Sequence, residues 1–247
     1  MAAPVLKPRV LCLHGRGLNS AYFRSQLGTL IRKNPELDFC FLQGHLPAEV
    51  APEAAGAWNV VLRPHQRQAW QYFTLRNDPG AEDSTKWKAG HDTADGLEHV
   101  WEDAVEEVRA RGPFFAAVGF SQGANVAAAL LAKQACSKMD LGLRCTVNLC
   151  GGIWGFWDKA PRPWWSSKQS PPQLPIRGVP SLHVLGLADP YLAQSKSLVE
   201  GYLPPPAGSE RRVLQHEGGH TPFPFHREQR VEVIEQISVF LQTYAGA

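Results

Sequence analysis

Short β-rich runs alternate with longer helical patterns along this chain, a rhythm that restricts it to sheets whose strands are joined by crossover helices. The runs are Arg9 to Leu13, Asp38 to Leu42, Phe114 to Phe120, Arg144 to Cys150, Ser181 to Leu187 and Arg212 to His216. They read as six parallel strands. Between the first two, Phe23, Leu27, Leu30 and Ile31 fall on one helical face behind a cap at Asn19 or Ser20. Thr93 to Arg111 carries Leu97, Val100, Ala104, Val105 and Val108 as a second amphipathic helix. A last helix puts Val231, Ile234, Ile237, Leu241 and Tyr244 three and four residues apart, as a helix covering one sheet face requires. The fold class is α/β, doubly wound.

With 247 residues, 44% of them hydrophobic, the chain reads as one domain with a continuous core, spanning 1–247. Its 25 basic and 23 acidic residues are interspersed, so no basic footprint for nucleic acid or anionic membrane stands out. Cys12, Cys40, Cys136, Cys145 and Cys150 are an odd set without the spacing of a zinc site or a disulfide framework, which points to a reducing compartment. The leader before Leu11 is too short for a signal peptide, and no apolar run approaches the roughly 20 residues of a membrane span. The expectation is a cytoplasmic protein without stable membrane insertion.

Two stretches interrupt the alternation and read as insertions over one end of the sheet. Residues 44–91 are rich in Pro, His, Gln, Arg and Trp, and loops of that length are usually functional or disordered. Residues 151–177 hold Trp154, Phe156, Trp157, Trp164 and Trp165 among several prolines. Such residues either pack on the domain surface or wall an apolar substrate site; Trp154, Trp157 and Trp164 are the candidates for the second role.

Gly119-Phe120-Ser121-Gln122-Gly123 follows the apolar run that starts at Pro113 and precedes a helix-forming run, Ala124 to Lys133. Strand, sharp turn and helix make a serine nucleophile elbow, whose strained backbone requires small residues on both sides of the serine. The bare Gly-x-Ser-x-Gly pattern arises by chance, so its context carries the reading. A serine hydroxyl is a poor nucleophile until a histidine takes its proton and a carboxylate orients that histidine. Downstream of Ser121, Gly186-Leu187-Ala188-Asp189-Pro190 ends an apolar strand and offers Asp189 as the acid, with Asp158 as runner-up. The strand ending at His216 is followed by Glu217-Gly218-Gly219-His220, which makes His220 the base; His216 and His226 read as structural or surface residues.

His216 to His220 also spells His-Glu-x-x-His, a zinc motif that works only on a helix. Two intervening glycines, at roughly 1 kcal/mol each, and the nearby Pro222 oppose that helix, so no metal is assigned. An oxyanion would need fixed N–H donors, and the backbone of Gln122 and of Arg16, in His14-Gly15-Arg16-Gly17, would supply them. His14 reads as a loop brace. The Arg16 side chain either favours anionic groups on a substrate or sits in solvent. The same loop lacks the dinucleotide and Gly-Lys-Ser/Thr patterns, which argues against a nucleotide site.

Leu11-Cys12-Leu13-His14-Gly15, the Ser121 elbow, Gly186-Leu187-Ala188-Asp189 and Gly218-Gly219-His220-Thr221-Pro222 together resemble the FSH group, a family of serine hydrolases within the α/β-hydrolases. The resemblance spans nearly the whole chain, including Phe41 to His45, Trp70 to Phe73 and Gly112-Pro113-Phe114. It implies a compact hydrolase lacking the first two strands of larger relatives, with Ser121, Asp189 and His220 as nucleophile, acid and base. It also implies carboxylic esters, of medium or long acyl chains, or thioesters as small-molecule substrates, and no cofactor. The polar, His-rich residues 44–91 and the Trp-rich stretch depart from the family pattern where a substrate mouth would lie. An acyltransferase using the same acyl-enzyme, or a non-catalytic binding protein on a hydrolase fold, are the alternatives, and oligomeric state is not legible.

Overall fold

A computed structural model of the chain describes residues 6–73, 94–152, 176, 178–202 and 210–246. Six parallel strands form the central sheet: β1 (Arg9–Leu13), β2 (Asp38–Leu42), β5 (Phe114–Phe120), β6 (Cys145–Leu149), β7 (Ser181–Gly186) and β8 (Arg211–His216), in the order β2-β1-β5-β6-β7-β8. This is the parallel, doubly wound α/β sheet that the alternation predicts. β3 (Leu46–Ala48) and β4 (Ala69–Gln71) make a separate antiparallel pair.

The sheet is covered on both faces, and β1 shows how the sequence arranges it. Val10 and Cys12 enter one core cluster while Leu11 and Leu13 enter the other, the two-residue alternation of a pleated strand. Every residue of β1, β5, β6 and β7 is buried. The first face carries Phe23 of α1 (Ser20–Gln26), Leu30 of α2 (Gly28–Lys33) and Leu27 between them, Trp58 of α3 (Ala55–Val61), and Val233, Ile234, Ile237, Phe240 and Leu241 of the last helix, α7 (Arg227–Ala245). α4 (Ala94–Arg111), α5 (Gln122–Cys136) and α6 (Leu192–Gly201) contribute to the second. Burying a large apolar side chain contributes roughly 1.5–3 kcal/mol, so these stripes hold the helices to the sheet.

Some expectations shift. The first helical face is split at Leu27, which ends α1 and precedes α2, although Phe23, Leu27 and Leu30 stay buried across the break; Asn19 is the cap, its side chain accepting the Tyr22 N–H. In α7 the stripe is rotated: Val231 is 49% exposed, whereas Val233 and Phe240 are buried. In α4, Val100, Ala104 and Val105 are buried and Val108 packs against them; the Leu97 side chain lies outside the described residues. At the amino end of the sheet Arg9, almost wholly buried, binds Asp38 and Glu107 and places its guanidinium over the Phe114 ring.

β1 leads to β2 on one side and lies against β5 on the other, so the strand order reverses between β1 and β5. Open parallel sheets place ligands outside the carboxyl ends of the strands at such a point. His14 and Ser121 follow those two strands directly.

Candidate active site

Ser121 sits at the junction of β5 and α5 with φ 52° and ψ −119°, a left-handed conformation that costs a non-glycine residue roughly 1–3 kcal/mol. The flanking glycines make it attainable. A Cβ at Gly119 would strike the backbone of Gly123 and Ala124, and one at Gly123 would strike the carbonyls of Leu13 and His14. The turn is held by the Ser121 N–H donating to Leu149 O (2.9 Å) and by Ser121 O accepting from the Ala124 N–H (3.0 Å). The hydroxyl is thereby presented at the carboxyl end of the sheet.

Asp189 follows β7 and His220 follows β8. His220 Nδ1 lies 2.8 Å from Asp189 Oδ2, and His220 Nε2 lies 2.8 Å from Ser121 Oγ. Asp189 Oδ1 accepts the Tyr191 N–H at 2.8 Å, and its carboxylate side chain is 0% exposed against 9% for His220. With a carboxylate oxygen at Nδ1, the neutral imidazole carries its proton there and turns a lone pair at Nε2 toward the Ser121 hydroxyl. The His220 ring is packed between Phe120 and Tyr191, with centroids at 5.2 and 5.1 Å. Its loop is pinned to the loop after β7, since Leu187 N–H donates to His216 O and Ala188 N–H to Gly218 O. The structure thus brings together the three residues that the sequence ordered as nucleophile, acid and base. Asp158, Trp154, Trp157 and Trp164 lie outside the described residues.

His216 ends β8 rather than sitting on a helix, and its Nδ1 accepts the Gly218 N–H, so the zinc-motif spacing does not put His216 and His220 on one helical face. His226 caps α7 in an exposed position. The group among the described residues with metal-ligating atoms close together is Cys150, Asp189 and His220, within 4.8 Å. It is a poor fit for an ion. Burial, and then the Asp189 charge, push the Cys150 thiol up to about 12, so it stays protonated and donates to Thr221 O at 3.2 Å, while Asp189 and His220 bind each other.

The loop after β1 lies against the elbow: a Cβ at Gly15 would stand 3.3 Å from Ser121 Cβ. The Gln122 backbone N–H opens α5, so both segments expected to donate to an oxyanion flank Ser121. The Arg16 side chain is exposed and its Nε donates to Gln71 Oε1 at 3.1 Å. His14 braces the loop. Its Nε2 accepts the Gly44 N–H (3.0 Å), which leaves the proton on Nδ1 for Gly15 O (2.8 Å), and burial lowers its pKa to about 4. A surface cavity lined by Lys7, Arg9, Asp38 and Arg111 opens at the amino end of the sheet, the end opposite Ser121.

Two residues were singled out in the sequence without the roles their side chains have here. Tyr72, fully buried, accepts the His14 N–H at its hydroxyl and donates to Leu42 O, both at 3.0 Å. The Gln122 carboxamide accepts the Tyr72 N–H (2.9 Å) and donates to Phe73 O (2.8 Å). An aromatic run inside an otherwise polar segment was the available signal for Tyr72.

The family described as Serine hydrolase (FSH1) matches residues 3–233 of the chain. The chain is 30% identical over 244 residues to the esterase FUS5 of Gibberella moniliformis, covering 97% of this chain and 88% of that one. It is 29% identical over 222 residues to the esterase OVCA2 of Danio rerio, covering 86% and 88% of the two chains. Among solved structures, acyl-protein thioesterase 2 of Zea mays is similar with a TM-score of 0.57 at 18% identity, over 96% of this chain and 95% of that one. At that identity the likeness is one of fold.

Proposed function

Because the chain belongs to the serine hydrolase (FSH1) family and is a hydrolase, we propose that it cleaves carboxylic esters or thioesters through Ser121, His220 and Asp189 by way of an acyl-enzyme. The observation that carries this reading is the unbroken line from Asp189 Oδ2 to His220 Nδ1 and from His220 Nε2 to Ser121 Oγ, each step 2.8 Å. Ser121 Oγ attacks the carbonyl carbon as its proton passes to Nε2, and Asp189 supports the imidazolium that forms. The charge developing on the carbonyl oxygen is taken by the backbone N–H groups of Gln122 and Arg16. Nε2 then returns its proton to the leaving alcohol or thiol, and His220 activates a water that releases the acid and restores Ser121. The protein residues supply every proton transfer in this sequence.

In this reading the chain works as one domain, with residues 44–91 and 151–177 framing the substrate. Both segments start just after strands, β2 and β6, at the end of the sheet that holds Ser121, which supports that placement. Trp154, Trp157 and Trp164 are assigned to the wall for a medium or long acyl chain on their composition and position in the chain. Relatives named as esterases support the ester. The test is labelling by a fluorophosphonate probe together with turnover of p-nitrophenyl esters. Wild-type protein should be labelled and active, and Ser121→Ala neither; equal labelling of the two would remove Ser121 from the mechanism.

A further inference from the structure

Resting on that reading, we propose that Tyr72 is the positioning residue of the oxyanion hole, joining the loop after β1 to the nucleophile elbow. The two backbone donors assigned to the oxyanion belong to segments far apart in sequence, and their spacing decides how well they meet one oxygen atom. Displacements of an ångström at such a site cost about a hundredfold in rate. Something must set that spacing.

The Tyr72 side chain is 0% exposed and reaches the ends of two adjacent strands at once. Its hydroxyl accepts the N–H of His14, the first residue after β1, and donates to the carbonyl of Leu42, the last residue of β2. Its ring lies 4.7 Å from the His14 ring. Burial raises the phenol well above its ordinary pKa, so the hydroxyl keeps its proton and both bonds persist through the working pH range. On its other side the Tyr72 N–H and the Phe73 carbonyl are both bound by the carboxamide of Gln122, the residue whose own N–H is the second proposed donor. Tyr72 therefore touches the His14 end of the donor loop through its side chain and the elbow through its backbone. β4 reinforces the link, because Gly17 N–H donates to Trp70 O and Trp70 N–H donates to Leu18 O. Residues 70–73 thus serve as a spacer between the two donors.

The polar bonds are what the assignment depends on, so conservative variants isolate it. Tyr72→Phe keeps the ring and leaves His14 N–H and Leu42 O without their partner. Gln122→Met keeps the backbone donor of residue 122 and removes the tether to Tyr72 and Phe73. The readout specific to an oxyanion hole is the ratio of kcat/KM for an oxygen ester to that for its thionoester, since sulfur accepts these hydrogen bonds poorly. Tyr72→Phe should lower kcat on a p-nitrophenyl ester by about ten- to a hundredfold with KM little changed, and should shrink the oxygen-to-sulfur ratio. Gln122→Met should do the same, and it carries the test if Tyr72→Phe does not fold. An active wild-type enzyme whose ratio is unchanged in the folded variants overturns this role for Tyr72 while leaving the Ser121 mechanism standing. A wild-type protein that neither turns over esters nor reacts with a fluorophosphonate overturns the mechanism itself.

Discussion

Replacing Asp189 by Asn tests the hydrogen-bond logic of the site more sharply than removing Ser121, because it changes one atom and leaves the shape. In the native site Oδ1 accepts the Tyr191 N–H and Oδ2 accepts from His220 Nδ1, and the side chain is 0% exposed. Asparagine has one acceptor oxygen for these two donors. If that oxygen stays with Tyr191, the amide N–H₂ faces His220 and forces the imidazole to accept at Nδ1, which puts the proton on Nε2, where it cannot receive one from Ser121. If the amide turns over to keep the reactive tautomer, two N–H groups meet in a buried place, at about 1–3 kcal/mol. Either way the negative charge opposite the imidazolium is lost, which removes a charge-assisted bond of roughly 2–3 kcal/mol. Together these raise the barrier by roughly 3–6 kcal/mol, a loss in kcat between about a hundredfold and about ten-thousandfold. The same exchange in a serine protease with this triad costs about the upper value. Steady-state kcat on a short p-nitrophenyl ester, with a thermal melt to show that the fold is intact, makes the measurement. A folded Asp189→Asn enzyme within tenfold of wild type would refute the assignment of Asp189 as the residue that fixes the His220 tautomer.

Two further outcomes follow from the same surroundings. Burial lowers His14 from 6.5 to about 4, so the unfolded chain takes up the proton first as pH falls. The stability this contributes is present above about pH 6.5 and lost toward pH 4, by about 3 kcal/mol, and His183, held at about 3 by burial, acts in the same direction. Urea unfolding at pH 7 and pH 4.5 should show the drop, and equal free energies at the two would contradict it. Gly123→Ala drives a Cβ into the Leu13 and His14 carbonyls, so it should cost about 1–3 kcal/mol in a thermal melt and slow fluorophosphonate labelling. A variant with native melting and labelling would show that the elbow has room to spare.

The parts of this molecule that are legible in its sequence are those where many residues repeat one demand. β1, β5, β6 and β7 are buried along their whole lengths, so every residue in them is apolar or finds a partner, and the runs stand out. Residues placed just beyond such strands inherit that clarity, which is why Ser121, Asp189 and His220, joined in the fold by two 2.8 Å contacts, stand out in the sequence. Helix phase is less legible. Val231 and Val233 are two valines on one helix, and which of them is buried depends on how α7 crosses a twisted sheet, a tertiary fact that spacing leaves ambiguous. α6 buries little beyond Ser195 and Leu198 and has no side-chain cap, so it carries neither of the signals by which a helix is recognised. The pair β3 and β4 has three residues in each strand, too few for an alternation to register, and includes Pro47.

The spacer role proposed for Tyr72 was hidden for a different reason. It depends on single hydrogen bonds to Gln122, His14 and Leu42, at sequence separations of 50, 58 and 30, and no periodic pattern records one bond across such a distance. The two kinds of information divide the site between them. Local physics dictates which side chains stand at the strand ends, because strain at Ser121 and the close approach of Gly119 and Gly123 must be encoded where they occur. On the proposed reading, how far apart the oxyanion donors are held is encoded elsewhere, in a segment whose strand, β4, is only three residues long. A chain that kept its elbow, Asp189 and His220 but altered residues 70–73 would still be recognised as a serine hydrolase from its sequence. Its rate would fall for a reason visible only in the folded molecule.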